Sequence, residues 1–189
     1  MANRTTAALT ENMYREFLEA MKTGGKGFRK NPKILFAMVL EANLGLRIVD
    51  IRNLKLCDII WDNGRYRLDV TEQKTGKKRN FTVPDAVYEY MKAYCERNEI
   101  PEDVPMLDLS ERTINQYIQK VADYLGYDNI GTHSFRKFYA TRLYENNGND
   151  IVLVQTLLQH SSVSVTRRYL GLSDEKIERA IENHVYLPE

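Results

Sequence analysis

Six side chains in this sequence of 189 residues have types and settings suited to holding or attacking an anionic group. Arg47 lies in the stretch NLGLRIVDI, among Leu44, Leu46, Ile48, Val49 and Ile51. A guanidinium in such apolar surroundings needs an anion, because an unpaired buried charge is costly. Asp50, three residues on, is one candidate partner. A ligand anion such as a phosphate is the other. His133 and Arg136 are also three apart, at the start of a helix that Thr132 can cap, and a helix N-terminus suits an anion. Lys74 sits in a polar turn and reads by itself as a surface lysine. In LLQHSSVSVTRRYL (157–170), His160 ends a helix, where a histidine can simply cap carbonyls. Tyr169 is one of 12 tyrosines, and Arg167 and Arg168 beside it can face solvent. Read alone, this stretch is either a structural corner or a nucleophile with a histidine beside it.

The elements that must position these groups are mostly helical. Thr10 can cap a first helix running through Lys22. The glycine-rich basic loop TGGKGFRKNP follows, and Asn31-Pro32 marks a helix start. KILFAMVLEANLG is apolar on nearly all sides, as a buried central helix should be. Gly45 breaks it, and RIVDIRNL reads as a short helix. The period then changes: LCDIIW, the turn DNG and RYRLDV read as a hairpin, and after TEQKTGKK a third strand, RNFTVP, ends at Pro84. Helices resume at Asp85–Asn98, then at 111–125 between a Ser110 cap and a Gly126 stop. Three more follow in HSFRKFYATRLYENN, NDIVLVQTLLQH and SVSVTRRYL. A last amphipathic helix is expected from about Ser173 to His184. The pattern predicts a mainly α fold with one small three-stranded antiparallel sheet.

Composition narrows the function classes. With 43% hydrophobic residues the chain can bury a sizeable core, most simply as one domain. Two distant cysteines, Cys57 and Cys95, make neither a disulfide framework nor a zinc spacing. His133, His160 and His184 lack a carboxylate or cysteine at ligand spacing, which disfavours a metal site. There is no signal-peptide pattern and no apolar run of membrane-spanning length, so the sequence reads as soluble and cytoplasmic. The net charge of +1 hides an uneven distribution. Lys22, Lys26, Arg29, Lys30 and Lys33 fall together with no acid among them. Between Arg65 and Arg79 six basic residues face only Asp69 and Glu72. Acids gather at Glu96–Glu111 and Asp174–Glu189. Such a chain can hold a basic face opposite an acidic one.

Taken in order, these residues resemble the tyrosine recombinase (phage integrase) family. NLGLRIVDIRNLKLCDI is similar to its first arginine box, with an acid at the Asp50 position. EQKTGKKRNFTVP is similar to its β-hairpin lysine, THSFRKFYATRL to its His-x-x-Arg box, and LLQHSSVSVTRRYL to its final box. The resemblance covers about Thr10 to Gly171. It departs from the family at Gln159, where glycine is usual. The family's N-terminal DNA-clamping domain has no counterpart, so the expectation is a catalytic domain with its core at about 10–171 and a tail at 172–189, resembling the small fimbrial-switch invertases or a fragment. The resemblance implies catalytic roles for Arg47, Lys74, His133, Arg136, His160 and Tyr169, with Asp50 bracing its helix or an arginine. Tyr169 would attack a phosphodiester of duplex DNA to give a 3′-phosphotyrosine, with no metal, ATP or other cofactor. Arg47 and Arg136 would clamp the phosphate. His133 would accept the tyrosine proton or hold the phosphate, His160 would hydrogen-bond a phosphate oxygen, and Lys74 would protonate the leaving oxygen. Expected DNA-backbone contacts are Lys26, Arg29, Lys30, Lys77, Lys78, Arg79, Lys137 and Arg168. Expected partners are duplex DNA, other copies of the chain in a tetramer, and accessory DNA-bending proteins. The alternatives are a non-recombining DNA-binding regulator and a type IB topoisomerase-like enzyme.

Overall fold

The computed structural model describes residues 6–71 and 76–172, so Lys74 and the expected C-terminal helix lie outside the described residues. Eight α-helices and one small sheet are present among them. The chain divides into two compact units, residues 1–139 and 140–189.

In the first unit, local sequence signals set the element boundaries. Helix α1 (Glu11–Thr23) starts where Thr10 Oγ1 accepts the Met13 N–H (3.2 Å). Helix α2 (Pro32–Leu44) starts where Asn31 Oδ1 accepts the Ile34 N–H (3.1 Å), with Pro32 at the first helical position. As its composition predicts, α2 is buried on several sides, through Ile34, Phe36, Ala37, Met38, Leu40, Ala42 and Leu44. Gly45 ends it in the left-handed region (φ 59°), its N–H donating to the Glu41 carbonyl (3.1 Å). Helix α3 (Ile48–Asn53) follows at once.

The hairpin also forms as expected. Strand β1 (Ile59–Asp62) pairs antiparallel with β2 (Arg65–Thr71), and Asn63 and Gly64, both at positive φ, make the turn. Strand β3 (Lys78–Val83) pairs with the other edge of β2, Thr71 opposite Lys78 and Tyr66 opposite Val83. The first strand is shorter than LCDIIW suggests. Leu56–Asp58 forms a 3₁₀ turn instead, because the Asp58 carboxylate accepts the Lys55 N–H (2.8 Å) and closes the chain on itself.

Helices α4 (Asp85–Arg97) and α5 (Glu111–Leu125) follow. Ser110 caps α5 by accepting the Thr113 N–H, and Gly126 stops it at φ 75°. Helix α6 (Thr132–Asn146) differs from expectation at its start. Thr132 lies inside the helix rather than capping it. Its hydroxyl donates to Asn115 Oδ1 on α5 (3.2 Å), while Ser134 Oγ accepts the Gly131 N–H (3.2 Å). Side-chain bonding across helices has overridden the local cap. Phe135 and Phe138 seat α6 against α1: Tyr14 stacks on Phe138 (4.6 Å between centroids), and Phe17 meets Phe135 edge-on (5.6 Å).

The second unit contains the end of α6, then α7 (Ile151–Leu158) and α8 (Val163–Leu170), which pack on one another. Asp150 Oδ1 caps α7 by accepting the Val152 and Leu153 N–H groups, and Ser162 Oγ caps α8 by accepting that of Val165. Gln159 ends α7 in the left-handed conformation (φ 54°, ψ 37°), which costs a residue with a Cβ roughly 1–2 kcal/mol.

Gly45 is constrained twice. Its φ is positive, and a Cβ there would lie 2.4 Å from the ring of Tyr139. Gly126 has a similar φ but open space around it. Alanine at either site carries the left-handed penalty of roughly 1–2 kcal/mol, and only Gly45→Ala adds the clash. Urea unfolding should show Gly45→Ala losing at least about 1 kcal/mol more than Gly126→Ala; equal losses would contradict the contact between Gly45 and Tyr139.

Candidate active site

In the first unit one turn gathers the charged groups. Arg47 sits two residues beyond Gly45, half-buried, as the cap residue of α3, and its carbonyl accepts the Asp50 and Ile51 N–H groups (2.9 Å each). Asp50 is buried in the first turn of that helix. Arg136 is enclosed within α6 at 2% exposure, and its Nη1 donates to the Gly45 carbonyl (2.6 Å). A charged donor on a carbonyl makes a short, strong bond. It ties the His-x-x-Arg helix to the turn that launches Arg47. His133, one turn before Arg136, is exposed.

Three side chains around this turn were not expected to belong to it. Glu41, one turn before Gly45, is fully buried, and neither carboxylate oxygen has a hydrogen-bond partner among the described residues. Burial raises its pKa well above the ordinary carboxylate range, opposed by the charge of Arg136 and reinforced by Glu111. The signal was legible: Glu41 is the one acid in an apolar helix. Tyr139 packs on Gly45, and burial raises its pKa against the opposing charges of Arg79 and Arg136. Arg79 is the third.

Arg79 and Lys137, two of the expected DNA contacts, are buried. Arg79 is 2% exposed on the inward face of β3, alternating with exposed Lys78 and Asn80, and its guanidinium lies 5.0 Å over the Phe81 ring. The period-two pattern Arg79, Phe81, Val83 carries that signal, but the basic run Lys77–Arg79 masks it. Lys137 is also buried. Its Nζ donates to the Thr6 carbonyl (2.6 Å), and burial lowers its pKa. Neither side chain presents its charge at the surface. Lys26, Arg29, Lys30, Lys77, Lys78 and Arg168 are exposed as expected, with Lys78 in an ion pair with Asp69 (3.0 Å).

In the second unit, His160 and Tyr169 are neighbours. Their rings meet edge-on with centroids 5.0 Å apart, and both are partly buried. The left-handed turn at Gln159 lets the His160 N–H return to the Gln155 carbonyl (3.1 Å). His160 Nδ1 lies 3.1 Å from the hydroxyl of Thr166, which is fully buried. Thr166, three residues before Tyr169, is a further residue that the sequence reading passed over.

The Glu41 shift has a measurable consequence. Between the ordinary glutamate range near 4.5 and its raised native value, the folded chain keeps a proton that the unfolded chain has lost. This contribution to stability is therefore full below that range and lost as pH rises through the folded pKa. Glu41→Gln should gain stability relative to wild type as pH climbs above 4.5, read from urea midpoints across the range. A stability difference that stays flat with pH would rule the shift out.

Comparison with known proteins bears on what this arrangement is. Residues 7–176 match the model of the phage integrase family. The chain is 33% identical over 156 residues to the probable integrase/recombinase YoeC of Bacillus subtilis, covering 80% of this chain and 83% of that one. It is 30% identical over 162 residues to the tyrosine recombinase XerA of Thermococcus onnurineus, covering 82% of this chain and 55% of the relative, so it spans about half of that protein. Among solved structures, the post-cleavage complex of the XerH site-specific recombinase with a palindromic difH substrate aligns at a TM-score of 0.70 and 20% identity, over 95% of this chain and 54% of that one. The crystal structure of XerA recombinase aligns at 0.67 and 23% identity, over 98% and 67%. At these identities the structures establish a shared fold.

Proposed function

The chain belongs to the phage integrase family, and on that basis we propose that it is a site-specific recombinase that cuts and rejoins duplex DNA with Tyr169 as nucleophile. The observation that carries this reading is the glycine turn of α2–α3. It sets Arg47 two residues from a carbonyl that holds the enclosed Arg136 guanidinium. Two permanent cations braced at one turn suit a phosphate whose non-bridging oxygens gain charge during attack.

The chemistry follows from the side chains. The phenolic oxygen of Tyr169 attacks phosphorus, the bond to the 5′ oxygen breaks, and a 3′-phosphotyrosine forms. Arg47 and Arg136 stabilise the phosphoryl oxygens. His133 accepts the tyrosine proton or holds the phosphate, and His160 hydrogen-bonds a phosphate oxygen. Lys74 protonates the departing 5′ oxygen, and Asp50 braces the start of α3. The phosphotyrosine keeps the bond energy, so a 5′ hydroxyl from another strand reverses the step without ATP. The exposed set Lys26, Arg29, Lys30, Lys77, Lys78 and Arg168 supplies backbone contacts, which dominate affinity for duplex DNA. Exchange between two duplexes calls for four copies of the chain on DNA, with accessory DNA-bending proteins as further partners.

A nicked suicide substrate tests the reading. The chain should leave a covalent protein–DNA adduct that resists SDS and forms in EDTA, and Tyr169→Phe should abolish the adduct while DNA binding persists. An adduct in the Phe variant, or one lost to EDTA, would sink the mechanism. Absence of an adduct on a verified site would favour a regulator, and relaxation of supercoils without strand exchange a topoisomerase. The difference in exposure makes a separate prediction. Lys30→Gln should reduce the slope of log affinity against log salt by about 1, whereas Lys137→Gln should leave the slope unchanged. Equal effects would place Lys137 on the DNA surface.

A further inference from the structure

The hydroxyl of Thr166 has two neighbours and one proton. Its oxygen lies 3.3 Å from the Ser162 carbonyl, one helical turn back, and 3.1 Å from His160 Nδ1. The hydroxyl is placed to donate to that carbonyl, which can only accept; with its proton there, the lone pairs of the Thr166 oxygen face the imidazole. Thr166 is fully buried, so no solvent competes for either bond. The histidine is held from its backbone as well. Its N–H donates to the Gln155 carbonyl (3.1 Å), and its own carbonyl accepts from Gln155 Nε2 (3.4 Å).

We infer that Thr166 is a positioning residue that holds His160 as the Nδ1–H tautomer and so makes Nε2 the working end of the ring. The hydrogen bond made by one ring nitrogen decides which proton the other carries. Neutral His160 then offers a lone pair at Nε2, not a hydrogen. It accepts a proton there first and donates to a phosphate oxygen only as the doubly protonated ring. The inference rests on the proposed role of His160 in strand cleavage, but the tautomer itself can be measured without DNA.

The test uses the full chain labelled with ¹⁵N. Long-range ¹⁵N–¹H correlation spectra of the neutral rings should show His160 with a protonated Nδ1 and an unprotonated Nε2, assigned by loss of the signals in His160→Gln. Thr166→Val, which keeps the shape and removes the hydroxyl, should shift His160 towards the Nε2–H form. It should also slow single-turnover cleavage of the nicked substrate by about tenfold, the loss of one net hydrogen bond, with DNA affinity unchanged. Thr166→Ser should restore both the tautomer and the rate. An Nε2–H ring in the wild-type spectrum overturns the inference, whether or not the variants fold. So does a Thr166→Val protein that cleaves at the wild-type rate. If wild-type chain with the Nδ1–H ring forms no adduct with DNA, the recombinase reading fails while the tautomer assignment stands.

Discussion

The hydrogen bond from Arg136 to the Gly45 carbonyl organises the first unit. A guanidinium at 2% exposure is tolerable only where its donors meet fixed acceptors, and a backbone carbonyl freed by a helix end is such an acceptor. The left-handed turn at Gly45 points that carbonyl away from the ladder of α2. The same turn starts the short segment that ends in Arg47. Seating of α6 by Phe135 and Phe138 on α1 then brings the guanidinium to the carbonyl. Glu41 lies one turn earlier on α2, and its carboxyl, fully enclosed, feels the charge of Arg136.

Several charged groups of this region are buried. Arg79 lies over Phe81 on the inner face of the sheet, and both Arg79 and Arg136 act on Tyr139. In the second unit the contacts around His160 are short in sequence range. Thr166 and the backbone around Gln155 hold His160, and Tyr169 packs edge-on against it. One unit thus concentrates buried positive charge, and the other sets a tyrosine ring against a histidine ring.

Much of this was readable from residue order because the signals are local. Thr10, Asn31, Ser110 and Gly126 act within one turn of helix, and Asn63–Gly64 within one hairpin. The recognised boxes named the candidate residues for the same reason. What escaped depends on which neighbours a side chain meets across the fold. Thr132 gives its hydroxyl to Asn115, seventeen residues away, instead of capping its own helix. Lys137 looks like any basic residue beside an arginine until the Thr6 carbonyl reaches it. Arg79 and Glu41 were nearer to legible. Each breaks an otherwise apolar period, and a charged residue on a core-facing position is the mark of a specific neighbour.

The close approach of Gly45 to the Tyr139 ring reaches beyond stability. With a ring at 139, position 45 has no room for a Cβ. A chain carrying a larger residue at 45 therefore needs a smaller one at 139, and a change at either position alone disturbs the acceptor that holds Arg136. Across sequences that keep this arrangement, the two positions should drift together, ninety-four residues apart, as one inherited choice.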